Sequence, residues 1–266
     1  MGNSEWQGID SHIHLDLYDA AAGVPWVEAC ESSGVSGLIA VSVNLASCKL
    51  NQALHRANPQ LIHPAYGYHP ERPLPSEEEQ AALFRWMSDH RNEMVAVGEV
   101  GLPYYNRIEK EKNRETFQIE PYIELLEQFM QKAAQWNKPI ILHAVYEDAD
   151  IACDLLERYS ISKTHFHWFK GSEKTVERMK RNGYFISFTP DIVYEQEIKT
   201  IAGQYPLTQC MIETDGPWPF EGVFAGQMTH PRMIRTVSQS LAKLKGLPEA
   251  EVGRMILQQT RQFYGI

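Results

Sequence analysis

Six side chains able to ligate a metal recur along this chain, each closing a short apolar run: His12, His14, Glu99, His143, His167 and Asp215. The first two lie in Asp10-Ser11-His12-Ile13-His14. Alternate residues of a β-strand point the same way, so His12 and His14 can offer two imidazoles to one ion. Asp10, two residues earlier, is positioned to hold an imidazole N–H from behind. Glu99 falls in Val95-Ala96-Val97-Gly98-Glu99-Val100-Gly101. A carboxylate in an apolar strand is costly unless paired or bound to a cation, and the flanking glycines let other groups come close. His143 ends Pro139-Ile140-Ile141-Leu142, and Asp215 ends Met211-Ile212-Glu213-Thr214 with Glu213 two residues behind it. In Thr164-His165-Phe166-His167-Trp168 both histidines can face inward, and only one need be a ligand. Each residue alone reads equally as a core histidine or a salt bridge. Five polar strand ends at corresponding positions of a repeating pattern read as a coordination shell, and the chemistry as metal-assisted hydrolysis.

The elements that must position these residues alternate. Apolar runs near 6–12, 37–43, 61–67, 94–99, 139–143, 164–168, 183–188 and 208–213 predict strands rich in Val, Ile, Leu and Phe, the pattern of buried parallel strands. Helical spacing falls between them, most clearly at Tyr122, Leu126, Phe129, Met130 and Ala133. Further helices are expected near 24–33, 46–58, 76–91, 147–159, 172–182 and 191–204. Two more follow Pro231, separated at Gly246-Leu247-Pro248-Glu249. Eight strands alternating with helices predict a single-domain α/β chain, residues 1–266, folded as a (β/α)8 TIM barrel with its metal site at the C-terminal strand ends. No GxGxxG follows the first strand and no P-loop lysine motif is present, which argues against a doubly wound nucleotide-binding sheet.

Composition narrows the function classes. With 266 residues, 43% hydrophobic and 22% charged, the chain is ordinary for a globular protein. It has no apolar run approaching the ~18 residues that span a bilayer. The start, Met1-Gly2-Asn3-Ser4-Glu5, lacks the basic and apolar stretches of a signal peptide, so the expected location is cytoplasmic, with no membrane and no obligate protein partner. The four cysteines (Cys30, Cys48, Cys153 and Cys210) are scattered without a CxxC and read as small buried hydrophobes. A net charge of −9 argues against coating long duplexes through a basic face.

The motifs, in order, resemble the TatD family of metal-dependent hydrolases and deoxyribonucleases. The resemblance runs from Asp10 to Phe263 and rests on Asp10-Ser11-His12-Ile13-His14-Leu15, Gly67-Tyr68-His69-Pro70, Gly98-Glu99-Val100-Gly101-Leu102, His143, His167-Trp168-Phe169-Lys170-Gly171 and Glu213-Thr214-Asp215-Gly216-Pro217. It implies two divalent ions (Zn, Mn or Mg). His12 and His14 would hold the first, Glu99 would bridge it to the second, and His143 and His167 would complete the second site. Asp215 would bind the first ion beside the attacking water, making Asp215 and Glu99 the catalytic carboxylates. His69 would contact the scissile phosphate or order the rim. The implied activity is hydrolysis of ester bonds by metal-activated water: a phosphodiesterase or deoxyribonuclease of the 3′–5′ exonuclease type, acting on single-stranded DNA or a small phosphodiester. Lys170 and Arg72 are expected phosphate contacts, with Asp10 and Glu213 behind the ligands. Trp168, Trp218 and Tyr104 are candidates to stack on bases.

Three positions depart from the family pattern. Pro103 follows Leu102 where an aspartate is common, Val145 stands in place of an arginine, and Thr229-His230-Pro231 replaces an Arg-Asn-x-Pro segment. These changes alter the rim and leave the ligands intact. They keep open an amidohydrolase-like enzyme acting on a small ester, lactone or amide, and a non-catalytic metal-binding scaffold.

Overall fold

The computed structural model describes residues 6–18 and 26–266. Eight short apolar runs form β1 (Gly8–Ile13), β2 (Val35–Ala40), β3 (Ile62–Tyr66), β4 (Ala96–Gly101), β5 (Ile140–His143), β6 (Thr164–Phe166), β7 (Phe185–Phe188) and β8 (Cys210–Ile212). They pair in parallel in sequence order to make one eight-stranded sheet. Around it run α1 (Trp26–Ser33), α2 (Leu45–Ala57), α3 (Glu77–Asp89), α4 (Tyr104–Lys112), α5 (Glu120–Trp136), α6 (Glu147–Arg158), α7 (Glu173–Asn182), α8 (Gln196–Gln204), α9 (Ile234–Lys245) and α10 (Glu249–Tyr264). This is the TIM barrel that the alternation predicts. Among the described residues no helix is long and apolar enough to cross a membrane.

Local signals account for most of these elements. On α5 the predicted stripe is the buried face, carried by Leu125, Leu126, Phe129, Met130 and Ala133. A capping box starts α3, with Ser76 and Glu79 each satisfying the other's backbone amide. Two segments differ from the expectation. The stretch expected as a helix over 191–204 is a 3-10 turn, Pro190–Val193, followed by the shorter α8. Helix α4 has no counterpart in the sequence reading because it buries no residue, so its apolar spacing carries no signal. The expected helix start at 24–25 and the polar residues 1–5 lie outside the described residues. All four cysteines are buried and unpaired.

The barrel interior is a cluster containing Ile9, Ile39, Ala65, Ala96, Ile141 and Met211, with Phe263 and Tyr264 of α10 against it. The outer strand faces pack with the helices. Strict alternation from Ile9 and Ala96 would turn Ile13 and Val100 inward, yet both pack with the outer layer. The ladder is irregular at those places, between Asp10 and Ile13 in β1 and between Val97 and Val100 in β4. Each irregularity changes which residues face the interior, and this is what turns His12 and Glu99 inward.

Closure between β8 and β1 runs through the chain just beyond β8. The Asp215 N–H donates to the His12 carbonyl at 3.0 Å and the His14 N–H to the Gly216 carbonyl at 2.8 Å. The Asp10 carboxylate accepts from the Thr214 N–H at 2.9 Å and from its hydroxyl at 2.6 Å. An Asp10→Ala substitution leaves both Thr214 donors buried without a partner, at about 1–3 kcal/mol for each. Urea unfolding should show the midpoint fall by a corresponding amount; an unchanged midpoint would show that the closure does not depend on Asp10.

Candidate metal centre

Strand ends bring the expected ligands to one place at the C-terminal face. His12 lies in β1 and His14 follows it; Glu99 lies in β4, His143 ends β5, His167 follows β6 and Asp215 follows β8. All six are buried. Four atoms converge on the first point: His12 Nε2, His14 Nε2, Glu99 Oε2 and Asp215 Oδ1. The imidazole nitrogens are 3.4 Å apart. Glu99 Oε2 lies 3.3 and 3.2 Å from His12 and His14, and Asp215 Oδ1 3.4 and 3.3 Å from them. A tetrahedron with ligands about 2.0–2.1 Å from its centre has edges of about 3.3–3.4 Å, so these separations fit one small cation. Neither Glu99 Oε2 nor Asp215 Oδ1 has a hydrogen-bond donor. Two buried carboxylate oxygens in that state call for a positive centre.

A second set gathers on the other oxygen of the same carboxylate. Glu99 Oε1 is 3.1 Å from His143 Nδ1, 2.8 Å from His167 Nε2 and 3.3 Å from His69 Nε2. His143 Nδ1 and His167 Nε2 are themselves 3.1 Å apart. The glycines beside Glu99 allow this crowding. A Cβ on Gly98 would stand 2.7 Å from that of Ile141, and Gly101, at φ +156°, leaves no room for one against the His143 carbonyl.

The geometry separates the paired histidines of β6. His167 faces Glu99, whereas both His165 ring nitrogens are engaged elsewhere, Nδ1 with the Tyr264 hydroxyl at 2.7 Å and Nε2 with Ser187 Oγ at 2.6 Å. Ser187 in turn donates to Glu213 Oε2 at 2.5 Å. Glu213 Oε1 accepts the Trp168 N–H at 2.8 Å and lies 3.7 Å from His167 Nδ1, on the side away from Glu99. Asp10 meets no imidazole, contrary to the expectation from sequence. It reaches the His12 backbone N–H at 3.4 Å and the Thr214 donors, and so holds chain segments instead of a ring.

Glu71 is a site residue that the sequence reading overlooks. Its Oε1 lies 3.4 Å from His143 Nε2, which has no other partner, on the side away from Glu99. The same carboxylate accepts the Tyr105 and Asn106 N–H groups at 2.8 Å each, the opening amides of α4, whose N-cap Pro103 supplies no side-chain cap. Its position two residues after His69 is the available signal, but the helix it caps is invisible to periodicity.

A cleft of about 890 Å³ opens over this floor, lined by His14, His69, His143, His167 and Asp215. Arg72 and Lys170 stand on its walls with Trp168 and Trp218. Tyr105, not Tyr104, lines it; Tyr104 instead packs against Tyr105 and Tyr146 at the start of α4. Val145 places an apolar side chain on the wall, and His230 lies elsewhere, its Nδ1 accepting the Arg232 N–H. At the mouth Tyr146, Trp168 and Asp215 all have φ between +37° and +51°, conformations costing about 1–3 kcal/mol each. Their amides are fixed by Lys170 O, Glu213 Oε1 and His12 O.

Charges within the floor are strongly coupled. Burial disfavours the charged form of every group, and also raises the pKa of Glu99 and Asp215, yet the surrounding imidazoles hold both carboxyls below their usual range. Burial and the nearby His167 push His12 down to about 3. For His14 the burial penalty is outweighed by Asp215 and Glu99, and its pKa rises to about 10. His167 is raised against the same penalty by Glu99 and Glu213.

Comparison with known proteins agrees over nearly the full chain. The family described as TatD related DNase matches residues 9–265. A Haemophilus influenzae protein named an uncharacterized metal-dependent hydrolase is 41% identical over 256 residues, covering 96% of this chain and 98% of its own. The human protein named deoxyribonuclease TATDN3 is 26% identical over 270 residues, covering 96% and 94%. The crystal structure of the Escherichia coli TatD homolog YJJV superposes with a TM-score of 0.83 at 24% identity, over 97% of this chain and 98% of that one.

Two measurements follow from this geometry. An ion entering the floor must displace the protons held on His14 and His167, so metal affinity should rise with pH, by up to about tenfold per unit for each proton displaced. Chelator-competition titrations at pH 6 and 8 would show it, and equal affinities would contradict it. Glu71→Gln removes the acceptor behind His143, and loss of such a partner weakens metal binding by about 10–100-fold. Unchanged affinity in the same titration would leave Glu71 only its helix-capping contact.

Proposed function

This chain belongs to the TatD related DNase family and is a metal-dependent hydrolase; from that premise we propose that it cleaves phosphodiesters at a pair of divalent ions, with single-stranded DNA or a small phosphodiester as substrate. The observation that carries the proposal is the division of one buried carboxylate. Glu99 Oε2 faces His12, His14 and the Asp215 oxygen, while Oε1 faces His143 and His167. The first three residues would hold one ion, His143 and His167 the other, with Glu99 shared. Bound there, divalent ions lower the pKa of a coordinated water and neutralise charge that builds on phosphoryl oxygens. The imidazole-rich donor set favours Zn or Mn over Mg, which prefers oxygen ligands.

The remaining roles fall to the chain's own groups. Asp215 lies where the floor meets the cleft and has an oxygen without a donor, which suits it to orient the attacking water and take its proton. His69 Nδ1 accepts the Glu71 N–H at 3.2 Å. Burial lowers its pKa, so the neutral ring carries its hydrogen on Nε2, where it can donate to a phosphoryl oxygen. Lys170 and Arg72 are positioned on the walls to meet further phosphate oxygens. The name of the human relative supports the deoxyribonuclease reading. One feature favours the alternative of a small carboxylic ester, lactone or amide: the apolar Val145 on the wall, where a cation would serve a phosphate.

End-labelled single-stranded DNA, incubated with chelated and then Mn- or Mg-reloaded protein, tests the proposal. Metal-dependent shortening is expected, falling about 10²- to 10⁴-fold in Asp215→Asn. Near-normal rates in the variant would reject the role of Asp215. Absence of cleavage by fully loaded protein would reject the nuclease reading.

A further inference from the structure

The walls above the metal floor carry little of what an extended anionic strand needs. Two cations line the cleft, Arg72 and Lys170, against the carboxylates of Glu71, Asp191, Glu195 and Glu221. Glu71 is committed to the amides of α4, and Asp191 to the Trp168 indole N–H at 2.6 Å and to Thr189. Glu195 and Glu221, however, are exposed and face whatever enters. Each cation stands near an aromatic ring: the Lys170 ammonium 5.5 Å from the Trp168 ring centre, and the Arg72 guanidinium 6.0 Å from that of Tyr68. Trp168, Phe220 and a 57% exposed Trp218 make the adjoining wall apolar and aromatic. The volume, about 890 Å³, falls within the range of about 300–1,000 Å³ typical of small-molecule sites.

These features suit an organic group with a π-face attached to one phosphodiester, with room for one or two further phosphate contacts. They do not suit a phosphate track, which requires a continuous positive groove. The chain's net charge of −9 provides no such field at longer range. We propose, building on the phosphodiesterase reading, that the cleft takes a phosphodiester bearing one or two nucleosides, and that from a longer strand it engages only the terminal residues. The aromatic wall holds a base, Lys170 and Arg72 hold at most two flanking phosphates, and the exposed carboxylates repel the rest of an anionic chain.

Strand length and salt test this directly. With saturating Mn, kcat/KM is measured for a dinucleotide, a tetranucleotide, a 20-residue single strand and bis(p-nitrophenyl) phosphate across a range of KCl. Single-strand contacts contribute a slope of about −0.7 per neutralised phosphate in log–log form. Two cations therefore predict a slope no steeper than about −1.4, made shallower by about 0.7 in Lys170→Gln. Values of kcat/KM within about threefold between dinucleotide and 20-residue strand are expected. A rise above tenfold with length, or a slope steeper than about −3, overturns the inference while leaving the phosphodiesterase reading intact. Failure on all four phosphodiesters, with turnover of carboxylic esters by the same loaded protein, overturns both.

Discussion

A single buried carboxylate organises the active face of this barrel. Glu99 has no solvent exposure, and each of its oxygens meets a separate set of imidazoles within about hydrogen-bonding distance. Burying that charge is unfavourable unless positive partners surround it. Four strands and one loop supply them: β1 with His12 and the adjacent His14, β5 with His143, the end of β6 with His167, and the loop after β3 with His69. The ladder irregularity in β4 turns Glu99 toward the interior, and the one in β1 does the same for His12. Regular pairing in either strand would send these side chains toward the outer helices.

Support for the ligands comes from carboxylates that lie one step farther out. Asp10 secures the segment carrying Asp215, Glu213 stands behind His167, and Glu71 stands behind His143 while holding the first turn of α4. Each thereby ties a ligand to an element that the ligand does not belong to. Asp215 needs this more than the others, since its left-handed backbone at φ +50° persists only where neighbours fix it. The result is a floor set before substrate arrives, under a cleft whose walls are apolar and only sparsely basic.

Much of this was legible in the sequence because strand burial and ligand chemistry leave independent marks. Val- and Ile-rich runs reveal buried parallel strands, and a polar ligand type closing each run reveals where they converge. Within the site, His12 and His14 could be paired from their spacing alone. His165 and His167 could not be told apart by spacing, because both face inward; only the Tyr264 and Ser187 contacts of His165 distinguish them. Helix α4 left no mark, since a helix with no buried face has no apolar period. Glu71 was hidden with it, and Tyr104 was placed at the mouth where Tyr105 stands. Asp10 was read as a partner of an imidazole because side-chain spacing is silent about backbone contacts made across 204 residues of sequence.

The sharing of Glu99 between two ions is the claim on which the chemistry rests, and metal content tests it most directly. Apo-protein and its Glu99→Gln variant would be titrated with Mn and the bound ions counted by equilibrium dialysis, with circular dichroism confirming that both are folded. The account predicts two ions per chain in the natural protein and weakened binding at both sites in the variant. A single ion per chain, or two ions bound equally tightly without the Glu99 carboxylate, would contradict it.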